Sequence, residues 1–382
     1  MLVNKNFEPE DYPENGYIFN NLARWNKSFK DYAGMVRIDG TDTGTSIPTT
    51  INDPLRGKVG YPKLQADSFS ISSNPLVNAG DVSTATQGLG QSYFLKLPIL
   101  GVLGTTNQDG TPRLDLNYPG YNFNISDQRR AEEFIKDFDA MVNAGTLPQF
   151  LYIYQPNDHT GSVQAPNASS VVTYSPLQQI ADGDVGLGMV VQHIMKSPIY
   201  YNATNHTGAA IFMTYDDAQS SLDHIHPHRT PLLVVSPFAK PGYIATRHYC
   251  TASVVKTEDL LLGMPAMNYG DLFATDLRDM FQATYNGITA DQINFNLDST
   301  LVPSKEGKKI WSLVSKLDTS APDRDSRRLG ILIRLSIKAD ELHEQATKSK
   351  TLGTAAYLKR QNELYQQAEK LVSTEAPADN DD

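Results

Sequence analysis

Cysteine is almost missing from this chain: Cys250 is the single one in 382 residues. An intrachain disulfide is therefore excluded, and so is a cysteine-built zinc cluster. Positive charge is also in short supply, with 33 Lys and Arg against 43 Asp and Glu, a net charge of -10 and no basic block anywhere. Surfaces that grip a phosphate backbone are basic, so no nucleic-acid partner is expected. A small phosphorylated substrate held through a metal stays compatible with that charge. No apolar run approaches the ~20 residues of a membrane-spanning helix, and the opening MLVNKNFEPEDYPENG has neither a basic n-region nor an apolar h-region. The expectation is no membrane span and no export signal, with the compartment left unassigned. Internal repeats are absent too.

What is present is ordinary for a soluble globular protein: 40% hydrophobic and 20% charged residues, enough for one large domain or two smaller ones. Up to about residue 115 the chain is rich in Gly, Asn, Thr, Ser and Pro, and the one helix expected there runs near Ile18 to Tyr32. The pattern then sharpens. A helix is predicted after the cap candidate Ser126, with Ala131, Phe134, Ile135, Phe138, Met141 and Val142 at three- and four-residue spacings and Gly145 at its end. A strand follows from Gln149 to Tyr154. The next helix is predicted from about Asp184 to Lys196, capped by Asp182 or Asp184, and a further one from about Ala252 to Leu262, with Thr251 as cap and Cys250 as a small buried side chain. Residues 282 to about 328 read as a polar, loop-rich linker, followed by amphipathic helices over Leu329 to Thr347 and Thr354 to Val372. The last ten residues, STEAPADNDD, read as a disordered acidic tail.

The chemistry concentrates between Thr207 and Pro237. A predicted strand, Ala209 to Thr214, ends in Asp216 and Asp217; Asp223, His224, His226 and His228 follow before a second apolar run, Leu232 to Val235. The strand Gln149 to Tyr154 likewise delivers Asp158 and His159. Helix and strand alternate along this region, which argues for a largely parallel sheet covered on both faces. In such sheets ligands bind beyond the carboxyl ends of the strands. If these strands are parallel neighbours, Asp158, His159, Asp216 and Asp217 emerge at one edge with hard oxygen and borderline nitrogen ligands together, as a divalent cation requires. The duller reading of Asp216-Asp217 alone is a solvated, helix-capping turn. The second acid and imidazole pair outweighs it. His193, His206 and His343 read as packing or surface residues, and His248 as lining the cleft edge.

The runs IFMTYDDAQSSLDHIHPHRTPLLVVSPFAKPGYI and HYCTASVVKTEDLLLGMPAMNYGDLFATDLRDMF, with YPGYNFNISDQRRAEEF and LPQFLYIYQPNDHTGS upstream, resemble the carboxyl-terminal half of bacterial phosphoesterases of the acid phosphatase and phospholipase C type. These belong to the alkaline phosphatase superfamily, and the similar branch is often fused to an amino-terminal β-propeller. The resemblance spans roughly Gly16 to Phe281. It implies a three-layer α/β/α sandwich of the alkaline phosphatase type with a largely parallel sheet, here with a carboxyl-terminal helical extension. The organisation expected is a phosphoesterase-like domain over 1–281, a linker and helical hairpin over 282–372, and the tail over 373–382. It also implies hydrolysis of a small phosphate ester with one or more divalent ions, Zn, Mn, Mg or Ca. Carried over, Asp158, Asp216, Asp217 and His224 are the metal ligands, His159 and His228 the catalytic imidazoles, and His226 and Arg229 substrate-binding. His226 departs from the family, where many relatives carry an acid. The family's upstream Glu-Asn-Arg motif and its Ser or Thr nucleophile segment have no counterpart in this sequence, so an amino-terminal half or propeller on another segment is an expected partner. Relatives are usually periplasmic or secreted.

Overall fold

The structure is a computed structural model that describes residues 15–34, 40–41, 70–71, 102–103, 105–115, 117–118, 127–159, 176–216, 229–292, 304–317 and 326–373. Helix α1 (Ile18–Arg24) stops well short of the expected Tyr32. Asn26 takes a left-handed φ of 53°, and the chain turns into strand β1 (Phe29–Tyr32). An Asn tolerates that conformation better than most residues, so it closes the helix and redirects the backbone. Strands β2 (Gly40–Thr41) and β3 (Ser70–Ile71) form a separate two-residue antiparallel ladder.

Strand β4 (Phe150–Ile153) pairs in parallel with β1, from Phe29 opposite Phe150 to Tyr32 opposite Ile153. The segment 113–115 lies along the other side of β1, where Asp31 N donates to Arg113 O at 2.8 Å and Asp115 N to Asp31 O at 2.9 Å. Alternation along β1 sends its side chains to two faces. On one face Phe29 meets Phe19 of α1, which also packs edge-on against Phe150 and Tyr152. On the other, Lys30 and Tyr32 both reach Asp137 at 2.5 Å. Asp137 belongs to α2 (Asp127–Ala144), so helices cover both faces of this sheet.

Helix α2 forms where its apolar spacing predicts. Ala131, Phe134, Ile135, Phe138 and Met141 are buried, and Gly145 ends it with φ 69°, a conformation that costs a glycine little. The cap candidate Ser126 lies outside the described residues. A 3₁₀ turn, Pro156–His159, follows β4. Helix α3 (Pro176–Lys196) begins eight residues before the expected Asp184. Gly183 and Gly186 sit inside it, because α3 comes so close to the start of α2 that a Cβ at Gly186 would lie 2.7 Å from the carbonyl carbon of Asp127 and 2.8 Å from its oxygen. Tertiary contact overrides the low helix propensity of glycine here.

After the short hairpin of β5 (Tyr201–Asn202) and β6 (Thr207–Gly208), β7 (Ile211–Thr214) pairs with β8 (Leu232–Val235). That pair is antiparallel, in register from Ile211–Val235 to Thr214–Leu232. The expectation of a largely parallel sheet is thus met by β1 and β4 and corrected for β7 and β8; among the described residues no ladder joins β4 to β7. The mixture of helices with small sheets is an α/β arrangement. Helix α4 (Thr251–Leu262) is N-capped by Cys250 rather than Thr251, and the Cys250 side chain is exposed rather than buried. Helix α5 (Tyr269–Phe273) is capped by Asn268.

The stretch expected as a linker contains helix α6 (Lys305–Trp311) and a 3₁₀ turn over Ser312–Lys316. Trp311 is fully buried there, against α7 (Ser326–Lys348) and α8 (Ala355–Ser373). Leu332 and Leu364 join it in a hydrophobic cluster distinct from the main one, whereas Leu358 is exposed. Among the described residues no helix is long and apolar enough to cross a membrane.

An alanine at position 186 tests the close approach of α3 to α2. Helix propensity alone favours Ala over Gly by about 1 kcal/mol, whereas the clash with the Asp127 backbone costs about 1–3 kcal/mol. Denaturant unfolding of Gly186→Ala is expected to show net destabilisation; a variant more stable than the parent contradicts the packing described.

Candidate functional site

The segment after β4 is held from below by buried charge. Asp127, Arg130, Asn157 and Asp182 are each at most 2% exposed. Burying four polar side chains together is tolerable only when their hydrogen bonds are made. Asp127 Oδ1 accepts from Arg130 at 2.9 Å, and its Oδ2 accepts from the Asn157 backbone N–H at 3.0 Å. Asp182 Oδ2 accepts from the Asp127 N–H at 2.7 Å and from Asn157 Nδ2 at 2.5 Å, while Oδ1 accepts from Gln128 Nε2 at 3.0 Å. Asp182 is therefore a cap, but for α2 rather than for its own helix. An acid aimed at the first turn of α2 also complements the positive end of the helix dipole.

On top of this network stands Asp158, half-buried in the 3₁₀ turn. Asp216 is exposed just beyond the end of β7. Two tyrosines that the sequence reading did not single out link the two strand ends. The hydroxyl of Tyr215 is raised above its ordinary value by burial, then by the charges of Asp158 and Asp184. That of Tyr152 is raised by burial, then by Asp31, Glu258 and Asp216. The charge of the acid after β7 is thus felt by a β4 side chain, and that of the acid after β4 by the residue that precedes Asp216. The Tyr152 ring lies over Gly34, where a Cβ would fall 2.1 Å from the ring. The carboxyl end of β1 belongs to the same edge. A signal for Tyr215 was available in its position directly before the paired acids; Tyr152 and Asp31 depend on a strand pairing that no local pattern announces.

Of the residues expected at the site, Asp158 and Asp216 are described, the first in the turn after β4 and the second just beyond β7. Arg229 is exposed at the start of the segment leading into β8. His159 falls within the 3₁₀ turn, but its side chain lies outside what is described. Asp217, His224, His226 and His228 lie outside the described residues altogether. Carboxylate oxygens are the donors a hard divalent cation takes, and Asp158 after β4 and Asp216 after β7 carry them. Among the described residues no group of three or more His, Cys, Asp or Glu side chains is gathered to hold an ion. His193 instead bonds Asp139 at 2.7 Å, His343 bonds the Tyr357 hydroxyl at 2.9 Å, and His206 and His248 are exposed.

Residues 113–261 match the model of the Phosphoesterase family. No curated protein and no solved structure matches the chain. The matched stretch begins at the segment beside β1 and takes in α2, β4, α3, β7, β8 and nearly all of α4.

The buried acids around this edge set a pH dependence. Burial, opposed by Arg130 and reinforced by Asp182, pushes the Asp127 carboxyl above the usual carboxylate range. Burial and then Asp259 push Glu258 from 4.5 to about 8, and burial leads the rise of Asp259 from 3.8 to about 7, against the hydrogen bond from Asn21. Between about pH 4 and 8 the folded chain thus holds protons that the unfolded chain has released. Stability contributed by these groups is full below the unfolded values and is lost as pH climbs through the folded ones. Thermal unfolding between pH 5 and 9 at constant ionic strength is expected to show a falling midpoint, with a shallower fall in Asp127→Asn. A midpoint that rises from pH 5 to 8 contradicts this electrostatic picture.

Proposed function

We propose that the phosphoesterase-like domain over residues 1–281, of which 113–261 match the family model, hydrolyses phosphate mono- or diesters with a divalent cation held by Asp158, Asp216, Asp217 and His224. The observation that carries this reading is the Phosphoesterase family match over residues 113–261, which contains both acids that follow strands, Asp158 after β4 and Asp216 after β7, 58 positions apart in the sequence. Helices on both faces of the β1–β4 sheet support the finer assignment to an alkaline-phosphatase-type α/β/α sandwich. A cation there would neutralise charge developing on the phosphoryl oxygens. In this reading Asp158 and Asp216 supply carboxylate oxygens, Arg229 binds substrate oxygens, and His159 and His228 handle protons. Zn, Mn, Mg and Ca are the candidate ions. The attacking group comes either from water or from a segment supplied by another part of the assembly.

Incubation of the purified chain with p-nitrophenyl phosphate and each of Mg²⁺, Mn²⁺, Ca²⁺ and Zn²⁺ tests the proposal. Turnover with at least one ion is expected, and Asp158→Ala and Asp216→Ala are each expected to reduce it by about 100-fold or more, since even outer partners of metal sites reach that scale. Absence of turnover with all four ions points instead to a binding module that keeps the fold. Turnover that survives both substitutions removes these acids from the site.

A further inference from the structure

We propose that Asp182 is a positioning residue for the candidate site, clamping the Asn157–Asp158 turn onto the first turn of α2 so that the Asp158 carboxylate is presented from a fixed base. The argument starts from the number of donors. One carboxylate, 2% exposed, receives the Asp127 backbone N–H, the Asn157 side-chain amide and the Gln128 side-chain amide. Three donors converging on two oxygens require a group that only accepts. An asparagine of the same shape keeps one accepting oxygen and turns an NH₂ toward donors, so it cannot reproduce the arrangement.

The three segments joined in this way are far apart in sequence: the start of α2, the turn after β4 and the middle of α3. Asn157 is fixed twice, by its side chain to Asp182 and by its backbone N–H to Asp127 Oδ2 at 3.0 Å. Asp158 is the next residue, and it cannot swing far while Asn157 is tied at both points. The glycine beside Asp182 completes the geometry, since a Cβ at Gly183 would stand 3.5 Å from Asp127 Oδ2 and 3.9 Å from the Asp158 backbone nitrogen. The helix backbone thus backs directly onto the turn that bears the acid. Partners that orient a metal ligand from behind commonly change cation affinity or activity by about 10–100-fold when removed. What the turn is held in place to do rests on the hydrolase reading above; that Asp182 holds it rests on the hydrogen bonds alone.

Two readouts on the full chain keep these apart. The first is hydrogen exchange of peptides spanning 155–159, with peptides from α7 and α8 as the internal reference. The second is the Mn²⁺ concentration giving half-maximal hydrolysis of p-nitrophenyl phosphate. Asp182→Asn is expected to speed exchange over 155–159 without changing α7 and α8, and to raise the half-maximal Mn²⁺ concentration by about 10–100-fold. Asp139→Asn, which alters an acid on the outer part of α2 that bonds His193, is expected to change neither. Asn157→Ala severs only the turn's side of the clamp and is expected to act in the same direction as Asp182→Asn, which keeps the test decisive if the latter fails to fold. If the parent chain shows no hydrolysis, the hydrolase reading fails and exchange alone judges the clamp. Unchanged exchange over 155–159 in both Asp182→Asn and Asn157→Ala overturns the proposal, as does unchanged Mn²⁺ dependence in an active parent.

Discussion

Asp127, paired with Arg130, and Asp182 are withdrawn from water, and the surroundings of the candidate site follow from what that burial demands. Removing a carboxylate from solvent costs several kcal/mol unless donors replace the lost water. Here the donors are the opening turn of α2, Arg130, Gln128 and both the backbone and side-chain groups of Asn157. Satisfying the two acids therefore fixes where α2 begins, how near α3 runs and where the turn after β4 lies. A charge that elsewhere would be a liability becomes the joint between three segments. Local backbone economy follows as well, because the close approach of α3 leaves no room for a side chain at Gly186.

The main hydrophobic cluster and this joint act together. Phe19 and Phe29 seal one face of the β1–β4 pair, while Phe134 and Tyr32 meet edge-on at 5.1 Å beneath α2 on the other. The sheet therefore cannot tilt without breaking aromatic contacts on both sides. Its carboxyl edge, which carries Asp31, Tyr152 and then Asp158, inherits that rigidity. The β7–β8 pair, which leads into Tyr215 and Asp216, is not hydrogen-bonded to β4 among the described residues. The helices α6, α7 and α8 close a second cluster around Trp311; the family match stops before them.

Much of this was legible in the sequence where the physical cause is local. Strand β8 was read to its ends because Ser236-Pro237 closes a run of four apolar residues, and α2 because five of its apolar residues share one face and Gly145 stops it. The failures have non-local causes. The spacing of Phe29 and Tyr32 continues a helical pattern from Ile18, and only the turn at Asn26 and the pairing with β4 make them strand. The run Asp182-Gly183-Asp184 looks like a turn, and it is helical because α2 needs the space. Acids placed directly after strands could be picked out as site candidates. The buried pair beneath them could not, since an Asp at the start of one helix and another in the middle of the next look like ordinary surface residues until the chain is folded.

The proposed site requires Asp158 and Asp216, which follow β4 and β7, to share one cation. Anomalous diffraction from crystals grown with Mn²⁺ tests it directly. A single peak within coordination distance of both Asp158 and Asp216 is the predicted result; Mn²⁺ bound elsewhere, or bound to one of these acids with the other turned away, contradicts the account.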